Sequence, residues 1–320
     1  MKLVVFIPCL NEEQTLPTVI NSIPKKIKGV DKIEILVIDD GSTDKTSAVA
    51  KKLGVTRVIR HIGNKGLAYS FRDGIRGSLE MGGDIIVLTD GDNQYPQERI
   101  PDLIEPILNQ TADLVIADRQ IDKIAHFTSF KKFLQKFGTW VLNNAAGTDL
   151  PDGTSGFRAF SKEAAIDINL ITRYSFGMET AIQAGNKRQR IATIKIKTNP
   201  KTRESRLMSS DLSHAKKSAV AIMRGYLMYK PYVVFITLGI IMLLVGLVPF
   251  VNYLIIFLTT KHPGGAHHIQ SLLLGVVFLV ASFFSFALAL LADLIRINRS
   301  LLEDVLEHQR RVEYIKKTKH

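Results

Sequence analysis

Across residues 232–292 the chain carries one formally charged residue, Lys261. It lies in a Gly- and His-containing stretch, 259–268, that divides two apolar runs, 233–258 and 269–292. Each run exceeds the roughly 20 residues that cross about 30 Å of hydrocarbon as a helix. Neither has the polar stripe of a helix on a globular surface, so two membrane-spanning helices are expected rather than two core helices. The composition agrees, since 46% hydrophobic residues and a mean hydropathy of +0.11 are more than a soluble enzyme of 320 residues needs.

Charge placement gives the orientation. Lys201, Arg203, Arg206, Lys216, Lys217, Arg224 and Lys230 precede the first run, and Arg296, Arg299, Arg310 and Arg311 follow the second. Cations concentrate on the cytoplasmic side of spans, so both flanks are expected in the cytosol, with residues 231–292 as a re-crossing hairpin. Residues 207–230 read as an amphipathic juxtamembrane segment. Residues 293–320, with Leu294, Ile297, Leu301, Leu302 and Val305 at helical spacing, read as a cytosolic surface helix. Residues 1–10 are interrupted by Pro8 too early for a signal peptide, which keeps the N-terminal part cytosolic. Cys9, the single cysteine, excludes a disulfide framework and reads as structural.

Ahead of the apolar runs, short β-branched segments alternate with helical ones. Strands are expected at 3–7, 33–38, 57–60, 85–89, 114–117 and 191–196, and strand-then-helix repetition implies a parallel sheet. In such sheets ligands bind beyond the carboxyl ends of the strands. Polar, turn-forming residues follow four strands in succession: Asn11-Glu12-Glu13, Asp39-Asp40-Gly41-Ser42, Asn64-Lys65-Gly66 and Asp90-Gly91-Asp92-Asn93-Gln94. Any one of these is ordinary turn chemistry, but four on one edge are not.

Asp90 and Asp92 leave a strand two residues apart, which in extended chain turns both carboxylates to one side, with Gln94 continuing the row. Two like charges so placed call for a cation. Magnesium or manganese accepts one or two carboxylates and completes its shell with water and phosphate oxygens, which suits a nucleotide diphosphate.

Together, residues 7–13, 37–44, 64–66 and 90–92 resemble glycosyltransferase family two, with its GT-A fold. Ala117-Asp118-Arg119, residues 152–158 (Asp-Gly-Thr-Ser-Gly-Phe-Arg), residues 202–207 (Thr-Arg-Glu-Ser-Arg-Leu) and the paired spans are similar to the polyprenyl-phosphate branch, which includes dolichyl-phosphate mannose synthases. The resemblance implies a Rossmann-like catalytic domain over residues 1–206 and an inverting transfer of one hexose or N-acetylhexosamine. The donor is a UDP- or GDP-linked sugar, and the acceptor a dolichyl or undecaprenyl phosphate. It implies that Pro8, Asn11, Glu12, Asp40, Gly66 and Asp90 bind the donor, with Asp40 facing base N–H groups, and that Asp90, Asp92 and Gln94 hold Mg2+ or Mn2+. Arg119, Lys132, Ser205 and Arg206 would bind the acceptor, and Asp92, Arg119, Asp152, Arg203 and Arg206 would serve catalysis, Asp152 as a helper base. The sequence departs from the branch at Asp118, where serine is usual, and at Lys131-Lys132, where arginine is usual.

A phosphate monoester is largely dianionic at neutral pH, so such an acceptor needs capture and alignment more than deprotonation. The expected partners are therefore a nucleotide-diphosphate sugar, a polyprenyl phosphate and a membrane, with no nucleic acid; a homo-oligomer stays open. Other readings also stay open: a polysaccharide synthase, although its Gln-x-x-Arg-Trp motif is lacking around Trp140, a transferase acting on another membrane lipid, and a non-catalytic nucleotide-sugar sensor.

Overall fold

The computed structural model describes residues 1–121, 129–170, 176–200, 230–259 and 266–316. They form two compact units, one from Met1–Gly225 with Leu306–His320, the other from Tyr226–Val305.

The first unit is built on a seven-stranded sheet: β1 (Lys2–Cys9), β2 (Lys32–Asp39), β3 (Arg57–Arg60), β4 (Ile85–Leu88), β5 (Leu114–Asp118), β6 (Arg158–Ser161) and β7 (Ile191–Lys195), in the order β3-β2-β1-β4-β6-β5-β7. The six strands expected from sequence are present and pair in parallel wherever they are neighbours. β6 was not expected. It is antiparallel to both β4 and β5, lies between them, and is only four residues long, too short for an alternating pattern to stand out. β1 is buried from Leu3 through Cys9, and β4 and β5 are buried throughout. Strands covered on both faces lack a polar alternation, and these read as continuous apolar runs for that reason.

The helices are α1 (Leu16–Ser22), α2 (Thr46–Lys52), α3 (Leu67–Glu80), α4 (Ile100–Leu108), α5 (Ser129–Ala146), α6 (Lys162–Asp167) and α7 (Phe176–Asn186). α3 ends at Glu80, and Gly82 follows with a left-handed φ of 73°. Trp140 is 60% exposed on α5, where Phe133, Phe137 and Trp140 stack along one face. Residues from Leu306 onward also pack in this unit. Glu307 pairs with Lys187 and Arg311 with Asp167, both at 2.7 Å, and Arg310 donates to the Ile168 carbonyl at 2.5 Å.

The second unit holds α8 (Pro231–Thr259) and the part of α9 (Ala266–Lys316) that precedes Leu306. Both are long and apolar enough to cross a membrane, with window hydropathies of 2.8 and 2.6. The two helices meet along small residues. A Cβ on Gly239 would fall 2.7 Å from the Phe286 ring, and one on Gly275 2.9 Å from the Gly246 carbonyl oxygen. Ser282 donates to the Gly239 carbonyl and Ser285 to the Phe235 carbonyl, both at 2.8 Å. In a bilayer, which offers helices no hydrophobic drive to associate, close backbone approach and hydroxyl bonds of this kind would carry the pairing.

Candidate active site

Loops at the carboxyl ends of β1 to β4 are knitted to one another, not merely adjacent. Asn11 takes a left-handed turn, φ 57°, and its Oδ1 accepts from the Thr43 amide at 2.8 Å and the Thr43 hydroxyl at 3.2 Å, while its own amide donates to Ser42 Oγ at 2.9 Å. Glu12 is buried, and its amide donates to Thr46 Oγ1 at 2.8 Å. The Thr15 hydroxyl sits 2.7 Å from both Glu12 Oε2 and the Gly91 carbonyl, joining the first loop to the fourth. Pro8 is buried at the end of β1, its carbonyl beside Gly91.

In the second loop the two aspartates differ in role. Asp39 shapes the turn, accepting from the Ser42 amide at 2.8 Å and from the Ser47 hydroxyl. Asp40 reaches across to the third loop, where it accepts from the amides of Lys65 and Gly66, both at 2.9 Å, and from His61 Nδ1 at 2.6 Å. Gly41 between these loops is obligatory: its φ is 77°, and a Cβ there would lie 2.5 Å from the Gly63 carbonyl carbon.

Asp90 and Asp92 follow β4. Gln94 donates through its side-chain amide to Asp92 Oδ2 at 2.8 Å and through its backbone to Oδ1 at 3.1 Å. Asp90 is pushed up to about 7 by burial, then by the neighbouring Asp92 and Glu12 charges, against which Arg119 pulls down. A Cβ on Gly156 would come within 3.1 Å of Asp90 Oδ2 and 3.2 Å of the Tyr95 hydroxyl, which itself accepts from the Gly156 amide at 2.9 Å. Among the described residues no three His, Cys, Asp or Glu side chains form a cation cage. The donor set is thus two carboxylates that repel one another, which fits a hard divalent ion completing its shell with water and diphosphate oxygens.

Facing Asp90 electrostatically is Arg119, at the end of β5. Its guanidinium grips the buried Asp152 through Nε at 2.7 Å and Nη2 at 3.0 Å, and reaches Thr154 Oγ1 at 2.8 Å. Burial works to raise the Asp152 pKa, yet the Arg119 charge and the Thr154 hydroxyl overcome it and hold the carboxyl below its ordinary range. Arg158, on β6, is fully buried; it donates to the carbonyls of Gly153, Ser155 and Gly177, each at 2.7 Å, and to Thr180 Oγ1 at 2.6 Å. Burial pushes its pKa down to about 10.

Residues 4–168 match the family described as Glycosyl transferase family 2. The chain belongs to that family. As a family 2 glycosyltransferase it is similar to the dolichol-phosphate mannosyltransferase of Pyrococcus furiosus, 35% identical over 53% of this chain and 49% of that one, so it spans about half the length of that relative. It is also similar to the UDP-N-acetylglucosamine–dolichyl-phosphate N-acetylglucosaminyltransferase of Methanococcus voltae, 28% identical over 60% of this chain and 83% of that one. Glucosyl-3-phosphoglycerate synthase of Mycobacterium tuberculosis, solved with Mn2+, UDP and glucosyl-3-phosphoglycerate, superimposes with a TM-score of 0.54 over 71% of this chain and 78% of that one; at 22% identity the likeness is one of fold.

In this family 2 enzyme the structure brings Pro8, Asn11, Glu12, Asp40, Gly66, Asp90, Asp92 and Gln94 to one sheet edge, and joins Arg119 to Asp152. Lys132 lies half-buried on α5. Arg203, Ser205 and Arg206 lie outside the described residues, as does the segment 207–229. Just before them, Asn199 bonds the loop of Asp90, Asp92 and Gln94: its amide donates to the Gln94 carbonyl at 2.9 Å and its side chain to the Asn93 carbonyl at 3.1 Å. Several contributors carried no sequence signal of their own. Tyr95 acts through its bond to the distant Gly156 amide, and His61 and Asp73 meet only after β3 and α3 have folded; Thr154 and Arg158 stood in the 152–158 motif, but their partners did not show in it.

Proposed function

We propose that this glycosyltransferase moves one sugar, a hexose or N-acetylhexosamine, with inversion from a nucleotide-diphosphate donor to a polyprenyl phosphate, dolichyl or undecaprenyl, at a cytosolic membrane face. The observation that carries the reading is Arg119. It is a cation held in place by Asp152 and Thr154 and close enough to Asp90 to lower its pKa, so its charge acts where a phosphate would sit. Pro8, Asn11, Glu12, Asp40 and Gly66 would hold the nucleoside.

Asp90, Asp92 and Gln94 would hold Mg2+ or Mn2+, which when bound offsets the charge that builds on the departing diphosphate. Gln94 steers the Asp92 carboxylate, and Gly156 leaves room beside Asp90. Asp152 serves better as the anchor of Arg119 than as a base, because a carboxylate held below its ordinary range is a poor proton acceptor. That is no obstacle for a dianionic acceptor phosphate. Arg203, Ser205 and Arg206, which follow Asn199 closely in the chain, are assigned to capture that phosphate.

Two apolar helices and the Lys187–Glu307 and Arg311–Asp167 pairs support a hairpin. A chain end that touches the catalytic unit lies on the same side of the bilayer as that unit. The test is incubation of membranes holding the protein with labelled UDP- and GDP-sugars plus polyprenyl phosphate, with diacylglycerol as a parallel acceptor. Label in polyprenyl-phosphate-sugar is the expected product; label only in a glycosyl diacylglycerol or a polymer would overturn the reading.

A further inference from the structure

His61, the residue after β3, is nearly sealed from solvent, with 3% of its side chain exposed. Its two ring nitrogens face two carboxylates from different elements. Nδ1 is 2.6 Å from Asp40 Oδ1 at the end of β2, and Nε2 is 3.0 Å from Asp73 Oδ2 on α3. Each ring nitrogen thus lies within hydrogen-bond distance of a carboxylate oxygen. The contacts fix the ring in plane and tie the second loop to α3. The other charged groups nearby are Asp39 and Arg60, which face each other at 3.7 Å, with Arg60 also donating to the Ser42 carbonyl.

This arrangement uses up one side of Asp40. A carboxylate has about four acceptor positions, two on each oxygen. Oδ1 takes His61 and the Lys65 amide; Oδ2 takes the Gly66 amide. One position is left, on Oδ2, in a side chain that is 7% exposed. Guanine offers N1–H and N2–H side by side and pairs with a carboxylate through both oxygens. Uracil offers one N–H, at N3, between two carbonyls. Cytosine offers an acceptor at N3, which a carboxylate repels.

We propose that His61, bridged between Asp40 and Asp73, is a positioning residue that leaves Asp40 one open acceptor and so selects a donor whose base presents a single N–H, a uridine diphosphate sugar. The inference rests on Asp40 meeting the base, as the donor reading above assigns it. A guanine brought to the same carboxylate would leave a buried N–H unpaired, and sites built on hydrogen bonding discriminate strongly for that reason.

The test reads nucleotide binding without lipid, so it is separable from the acceptor assignment. The full chain in detergent with Mn2+ is titrated with UDP and with GDP by calorimetry. UDP should bind at least about tenfold more tightly, the factor that corresponds to 1.4 kcal/mol. His61→Ala, which frees Oδ1 and loosens Asp40, should weaken UDP at least about tenfold and bring the two nucleotides within about threefold of each other. If that variant does not fold by thermal unfolding, Asp73→Asn, which keeps the shape but takes the charge from the outer partner, should narrow the ratio in the same direction. GDP binding as tightly as UDP to the unaltered protein would overturn the proposal, as would a folded His61→Ala or Asp73→Asn protein with an unchanged ratio. A protein that discriminates as expected but labels no polyprenyl phosphate supports this inference and sinks only the acceptor reading.

Discussion

The Asn199 amide donates to the Gln94 carbonyl, 2.9 Å away, and so joins the chain leaving β7 to the loop that carries Asp90 and Asp92. Arg203 and Arg206 follow within seven residues. The stretch assigned above to acceptor capture therefore follows a point fixed on the loop that carries Asp90 and Asp92.

Asp92→Ala should abolish turnover and leave the fold intact, because Asp92 lies in a loop after β4 and its bonds to Gln94 are local to that loop. Excess chelator should act the same way on the unaltered enzyme. Full activity in chelator would remove the metal from the mechanism, and a large drop in Tm would mean that Asp92 is structural.

Asp90, pushed up to about 7, gives a pH dependence with a definite sign. A carboxyl has a pKa near 3.9 when unfolded, so in metal-free protein protonated Asp90 favours the fold, and that advantage is lost as pH rises from about 4 to 7. Metal requires the ionised form, so Mn2+ affinity should fall about tenfold per pH unit below about 7. Thermal unfolding with and without Mn2+ across pH 5.5–8.5 checks both, and metal binding that is flat across that range would contradict the assignment.

For Asp152 the expectation is opposite to that for a base. Held below the ordinary carboxylate range, it should produce no limb in the kcat profile between pH 5 and 7. Asp152→Ala leaves the mostly buried Arg119 guanidinium without its partner, a change that costs about 3–5 kcal/mol when such a pair is broken. Loss of stability with loss of turnover is the expected pair; a stable variant with an altered pH profile would restore Asp152 as a proton carrier.

Arg206→Ala should lower acceptor-dependent kcat/KM at least about tenfold, equivalent to 1.4 kcal/mol, and leave UDP affinity measured without acceptor unchanged. A basic residue that merely adheres to anionic lipid contributes about 1 kcal/mol and is screened by salt. A loss that 0.5 M salt reproduces in the unaltered enzyme would favour adhesion over capture.

Cysteines placed at positions 51, 264 and 319 should label from the cytosol, from the opposite side, and from the cytosol respectively. Cys9 is buried and contributes no background in folded protein. Labelling of 264 and 319 from one side would exclude a hairpin.

The sheet edge was legible because its residues announce themselves locally: Asp-x-Asp after a strand, Asn-x-Gly before a helix, a row of polar turns on apolar strands. Asp39 and Asp40 were separable in role only in part, since adjacent identical residues carry no sign of which one crosses to the next loop. β6 stayed hidden because a four-residue strand led by an arginine has neither length nor alternation. The seam of Gly239, Gly246 and Gly275 stayed hidden because lipid-facing and helix-facing glycines look alike in a run that is apolar all round. His61 gave no pattern because its partners lie 21 and 12 residues away, one on each side in sequence.

Arg158 also bears on how such enzymes can be re-engineered. Its four bonds run to Gly153, Ser155, Gly177 and Thr180, so the loop that holds Asp152 and Thr154 takes its shape from β6 and α7. Grafting residues 152–156 alone from a relative with another acceptor would import the loop's letters without its mould. The portable cassette is the loop together with Arg158 and the first turn of α7, and chimeras cut inside that cassette should misfold where chimeras cut around it survive.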